Sequence, residues 1–197
     1  MSALAAKWTS QFFATLGDDR LAAEGLKDAS VRSDLARWTT TLTDVVVRSF
    51  EQLGWSAAGK GHRCTVLPVQ RSEYLSQDVM AFQASRSGWR FPIAVCELEN
   101  SADADLVAYS LWKVLCVRCS LRVLFCYRPN SEDGPAFVAS LARSVVDAMP
   151  IQERVVLAGE TLVFVGLRSD ASTFPYGFFQ AWKLNSNTGR FERFARQ

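Results

Sequence analysis

Phe91-Pro92-Ile93-Ala94-Val95-Cys96-Glu97-Leu98-Glu99-Asn100 is the stretch on which the reading of this chain turns. An apolar run of strand composition ends in two carboxylates one residue apart. Strand side chains alternate between faces, so Glu97 and Glu99 project to one side while Cys96 and Leu98 project to the other. Two acids on one face of a buried strand are costly unless a cation or hydrogen-bond donors meet them. The pair therefore marks the place to look for a metal.

The segments on either side suggest how such a strand is housed. Upstream, the apolar positions Leu35, Trp38, Leu42, Val45, Val46, Phe50 and Leu53 recur at near-helical spacing, predicting a helix over Ser33 to Leu53 with Gly54 as its stop. An earlier amphipathic segment, Leu4 to Leu16, ends at Gly17. After the loop Gly59-Lys60-Gly61 the period changes, and Cys64 to Val69 and Asp78 to Phe82 read as strands. Ser87-Gly88 makes a turn, and Pro92 to Glu99 forms the third strand of a meander. A helix from about Asp103 to Cys116 follows, with Asp103 and Asp105 in its first turn where they suit the dipole. Leu121 to Tyr127 is then an apolar strand. Strand, helix, strand in that order predicts a parallel pair.

Downstream, a second helix is expected from Gly134 to Met149, with Asp133 as N-cap and Pro135 in its first turn. Arg154 to Arg168 and Gly177 to Phe194 read as further strands, the latter broken by a hairpin turn at Asn185-Ser186-Asn187-Thr188-Gly189. The expected organisation is one domain over 1–197. Residues 1–32 form an N-terminal helical extension, 33–130 the core, and 131–197 a helix plus C-terminal strands.

Composition narrows the function classes. Of 197 residues, 49% are apolar and 21% charged, which suits a packed core. No apolar run reaches the roughly 20 residues of a membrane-spanning helix, and Met1 to Trp8 carries no apolar segment of the secretory kind. No membrane association and a cytoplasmic location are the expectations. The formal charge of +2 gives no electrostatic argument for nucleic acid. Local basic groups at Arg118, Arg122 and Arg128, or at Lys183, Arg190, Arg193 and Arg196, are the candidate patches. Five cysteines and a single histidine, His62, leave the Cys116-Val117-Arg118-Cys119 spacing without the further ligands that a tetrahedral zinc would need. Buried, inert thiols are the better reading.

The order of elements, with Asp78 opening the second strand and Glu97 and Glu99 closing the third, resembles the PD-(D/E)XK nuclease superfamily. Asp78 matches the family's first acid, and Glu97-Leu98-Glu99 matches its (D/E)-x-K element with Glu99 where lysine usually stands. The resemblance covers roughly Thr40 to Tyr127. The stretches Cys96 to Ser101, Tyr109 to Lys113 and Leu121 to Leu124 also look like small uncharacterised microbial and phage proteins with a D…E-x-E variant site. It implies a restriction-endonuclease-like α/β fold: an αβββαβ core and a central mixed sheet flanked by helices, with additional C-terminal strands.

The resemblance further implies Mg²⁺ or Mn²⁺ held by Asp78, Glu97 and the Leu98 carbonyl. Glu99 would orient a water or hold a second ion, and Lys113 would supply the missing cation. Glu51, late in the preceding helix, would be a further acid. The implied activity is metal-dependent phosphodiester hydrolysis on nucleic acid, with a homodimer as a candidate assembly. The alternative is a catalytically inactive version of the fold serving as a nucleic-acid- or protein-binding subunit, and the loss of lysine at position 99 favours it. Glu73 and His62 read as solvated loop residues. Trp89, Trp112, Tyr127, Phe178, Phe179 and Trp182 read as core and sheet packing.

Overall fold

The computed structural model describes residues 4–84, 88–130 and 132–195. Seven strands form one sheet in sequence order: β1 (Trp55–Gly59), β2 (Val79–Gln83), β3 (Ala94–Leu98), β4 (Leu121–Arg128), β5 (Glu160–Leu167), β6 (Phe179–Asn185) and β7 (Arg190–Arg193). The outer pairs are antiparallel, whereas β3–β4 and β4–β5 are parallel. Helices α1 (Leu4–Asp18), α2 (Arg20–Arg32) and α3 (Leu35–Glu51) precede the sheet. Helix α4 (Ala104–Leu115) connects β3 to β4, while α5 (Asp133–Leu141) and the short α6 (Ile151–Val155) connect β4 to β5.

Alternation along the strands divides the interior into two cores. Cys96, Leu98, Val123, Phe125, Leu162 and Phe164 face α1 and α3; Val95, Leu124, Cys126, Val163 and Val165 face α4 and α5. The parallel strands β4 and β5 are buried along almost their whole length, as strands covered on both faces are. On the first side Trp8 stacks on Phe12 and Phe50 and meets Phe125 and Phe164 edge-on. Its Nε1–H donates to Ser49 Oγ at 3.0 Å. Helix α1, within the span expected as an extension, thus supplies the centre of the larger core. Gly166 belongs here too: a Cβ would lie 2.5 Å from the Tyr127 ring, which accepts a hydrogen bond at its hydroxyl from Trp38 Nε1.

Helix entries follow local chemistry. Asp19, Asp34 and Asp103 cap α2, α3 and α4, each carboxylate accepting a backbone N–H of the first turn. The β6–β7 hairpin forms where the Asn/Gly cluster predicts it. Asn185 Oδ1 accepts from the N–H groups of Asn187 and Thr188, and Gly189 takes φ +71°.

The αβββαβ core stands, but four boundaries differ from expectation. The first meander strand is Trp55–Gly59, not Cys64 to Val69. Cys64, Val66 and Leu67 are buried without joining the ladder, so their apolar character reports burial and not strand pairing. The true strand carries small residues from Ser56 to Gly59, and α3 lies closest at its end, a Cβ at Gly59 approaching Thr43 at 3.0 Å. Asp133 lies inside α5, whose N-cap is Glu132 and makes no side-chain bond; the helix then widens into a π-helical segment at Ala142–Val146. The strand expected from Arg154 starts only at Glu160, residues 154 and 155 belonging to the short helix Ile151–Val155. Trp89 and Trp112, read as core, are 77% and 54% exposed. The expected turn at Ser87-Gly88 and the patch residue Arg196 fall at or beyond the limits of the described residues.

The central ring cluster sets a test. Trp8→Ala is expected to lower unfolding free energy by about 3–5 kcal/mol in denaturant titrations. Trp8→Phe, which keeps most of the buried area and loses the bond to Ser49, costs less.

Candidate functional site

The site forms where β3 leaves the sheet. Register places Val79 opposite Cys96, which puts Asp78 across from Glu97. Asp78 shares the parity of Met80, and Glu97 and Glu99 that of Val95, so all three acids face the α4 side. The Leu98 N–H donates to Asp78 Oδ2 at 2.7 Å, while the Glu99 N–H turns the other way to the Phe125 carbonyl at 2.9 Å. Leu98 N–H and C=O share one side of the strand, so its carbonyl is directed toward the edge where Asp78 stands.

Helix α4 closes the site from above. Lys113 Nζ lies 2.9 Å from Glu97 Oε1 and donates to the Ser76 carbonyl at 2.6 Å. Ser110, one turn earlier, donates to Glu99 Oε2 at 3.3 Å, and the Ser101 N–H donates to Glu99 Oε1 at 2.8 Å. Leu75 and Ser76, which bring that carbonyl under Lys113, sit at φ 53° and 54°. Consecutive left-handed non-glycine residues carry strain.

Electrostatics follow from this enclosure. Glu97 is 4% exposed. Burial pushes its carboxyl up from an ordinary 4.5 to about 7; Lys113 pulls it back and Asp78 adds to the rise. Asp78 is raised as well, chiefly by burial, against the Leu98 N–H and Lys113, with Glu73 and Glu99 reinforcing the rise. One ammonium therefore faces more carboxylate than it neutralises. The donors are all oxygens, the set that suits Mg²⁺ or Mn²⁺, ions content with one or two carboxylates and several waters. Among the described residues no three His, Cys, Asp or Glu side chains are grouped closely enough to hold a metal. An ion here would rest on Asp78, Glu97 and the Leu98 carbonyl and keep much of its water.

The structure thus brings Asp78, Glu97, Glu99 and Lys113 together, with Glu73 nearby. It does not bring Glu51. That exposed residue ends α3 beside the start of β1, whereas the site lies at the other end of β1. The start of α3 is what reaches the site: Asn100 Nδ2 donates to Thr39 Oγ1 at 2.6 Å. Glu51 is twelve residues further on, about 18 Å along the helix axis.

His62, expected to be solvated, pairs with Asp44 of the same helix at 2.7 Å. Thr39, Asp44, Ser76 and Ser110 carried no sequence signal of their own. Ser110 alone was recoverable, since it lies three residues before Lys113 on the same helix face. The candidate basic patches are largely committed elsewhere. Arg122 is 2% exposed and donates to the Val117 and Ala158 carbonyls, Lys183 pairs with Glu160, and Arg190 pairs with Asp147. Of the Cys116/Cys119 pair, Cys119 is buried and Cys116 exposed, both as free thiols.

The raised carboxyl of Glu97 predicts a pH dependence. Its folded-state value lies above its unfolded one, so the native state holds the extra proton between pH 4.5 and about 7. Stability therefore falls as pH rises through that window, by on the order of 3 kcal/mol. Glu97→Gln is expected to flatten this slope in denaturant titrations repeated across pH.

No family model matches the sequence, nor does any curated protein. Among solved structures, the cAAA-bound form of NucC from E. coli MS115-1 is similar at a TM-score of 0.51 and 15% identity, over 94% of this chain and 81% of that chain. At this identity the likeness is one of fold. The architecture of the chain is restriction-endonuclease-like: a mixed seven-stranded sheet with helices on both faces.

Proposed function

We propose that the chain hydrolyses phosphodiester bonds in nucleic acid with the help of Mg²⁺ or Mn²⁺ bound at Asp78, Glu97 and the Leu98 carbonyl. The carrying observation is the register that sets Asp78 across from Glu97 on the α4 face, with the Leu98 backbone between them. The fold shared with NucC agrees with this reading. When bound, the ion would supply Lewis acidity, lowering the pKa of a water and drawing charge from the phosphate oxygens.

The chain's own groups divide the remaining work. Burial raises the carboxyls of both Glu97 and Asp78, and a cation held there would favour their ionised forms. Glu99, held by Ser101 and Ser110, is fixed in orientation and aligns the attacking water. Lys113 stands beside Glu97 and faces the negative charge that builds on the phosphate. Its position on α4 replaces the cation that residue 99 lacks. A homodimer is part of the same proposal and is read out by light scattering.

A second reading has its own support. Lys113 already meets Glu97 as an internal cation, which suits a catalytically silent fold that binds nucleic acid or protein. Calorimetric titration with Mn²⁺ separates the two. The hydrolase binds the ion and loses it in Asp78→Asn, whereas the silent fold shows no heat in either protein.

Cleavage of DNA and RNA oligonucleotides in Mg²⁺ or Mn²⁺, with and without cAAA, tests the activity itself. Asp78→Asn and Glu97→Gln are each expected to reduce the rate at least about a hundredfold. Unchanged rates in both variants would remove the assignment.

A further inference from the structure

At the carboxyl ends of β3, β4 and β5 a cavity of about 220 Å³ opens, walled by Asn100, Ser101, Tyr127, Arg128 and Arg168. It shares a rim with the acids, because Asn100 and Ser101 follow Glu99 and the Ser101 N–H is bonded to Glu99 Oε1. Glu99 and Arg128 both act electrostatically on the Cys126 thiol, which places them at the same end of β4. A narrower recess continues from it past Ser30 and Ser33, sharing Asn100, Tyr127 and Arg168.

The cavity is basic in an unusual way. Arg128 is only 9% exposed, its guanidinium lying 3.2 Å from the centroid of the Phe137 ring. Nη1 donates to the Tyr127 carbonyl at 2.7 Å. Arg168 is exposed, and its guanidinium makes a long hydrogen bond, 3.4 Å to Ser33 Oγ. None of the ion pairs among the described residues includes either arginine. Asp133 acts on the Arg128 guanidinium electrostatically without pairing with it, and the net effect of burial still disfavours the charge. A guanidinium withdrawn from water and only partly met is costly, and an anion in the cavity would offset that cost. Planar guanidinium forks match phosphate oxygens with paired hydrogen bonds.

We propose that this cavity binds a phosphate group between Arg128 and Arg168. Taken with the hydrolase reading, on which this part rests, the group is the substrate phosphate next to the scissile one, and the arginines set the substrate's register over the acids.

The phosphate site is tested without metal or turnover, so it stands or falls apart from the hydrolase reading. Inorganic phosphate is titrated into the metal-free protein and followed by calorimetry and by the Arg128 Nε–Hε resonance. Saturable binding is expected, weakened at least about tenfold in Arg168→Ala, an exposed position that the fold tolerates. Arg128→Lys, which keeps charge and loses the fork, weakens it too, while Glu97→Gln does not. Absence of saturable binding, or equal affinity in Arg168→Ala, would overturn the proposal. Competition then assigns the source. A single-stranded oligonucleotide that displaces phosphate, with a raised KM and unchanged kcat in Arg168→Ala, marks the substrate backbone. Displacement by a mononucleotide alone marks a free nucleotide and overturns the substrate part.

Discussion

Glu97 is a carboxylate held almost wholly out of water by the strands beside it and the helix above, and the site depends on how that charge is met. Its ammonium partner, Lys113, comes from α4, the helix that carries the chain from β3 to the parallel strand β4. The crossover that builds the sheet thus also delivers the counter-charge. Lys113 in turn needs an acceptor for its other hydrogens, and the strained loop at Leu75 and Ser76 supplies a carbonyl. Breaking a buried pair from one side leaves the other charge stranded, so these elements are coupled. Burial raises Glu97 and Asp78, and Lys113 offsets that rise only in part.

The two faces of the sheet divide labour. Toward α1 and α3 the interior is aromatic and dry, centred on Trp8, and it fixes the strands in register. Toward α4 and α5 the core is aliphatic near the middle and becomes polar at the carboxyl ends of β3 to β5. Acids gather over β3 and Arg128 stands over β4 against Phe137, while Arg168, bonded to Ser33, closes the end of β5 from the α2 side. A polyanion crossing this end would meet a negative pocket able to recruit cations on one side and guanidinium groups on the other.

Much of this was legible in the sequence. The apolar run ending at Glu97 and Glu99 gave the strand and its polar face, and the switch from period two to period 3.6 gave the β-α-β unit. Asp78 could be paired with Glu97 because few offsets join two short neighbouring strands. What was hidden depended on tertiary closeness. Trp55–Gly59 has a loop's composition and becomes a strand by pairing with β2, with Ala57 and Gly59 leaving space for α3 above. Cys64 to Leu67 has a strand's composition and makes none. Glu51 was assigned on its place late in a helix, but the direction of α3 over the sheet decides which end meets the site, and that end carries Thr39 and Asp44.

The ends of the sheet have a consequence for assembly. β7 is four residues long and presents Arg190, Glu192 and Arg193 along its outer rim, while beyond β1 the chain folds back so that His62 bonds with Gly59. Short, charged or self-capped borders resist strand addition from another molecule. Copies of this chain are therefore disfavoured from joining through a shared ladder. The apolar surface left open lies instead on a helix, where Tyr109 and Trp112 stack on α4.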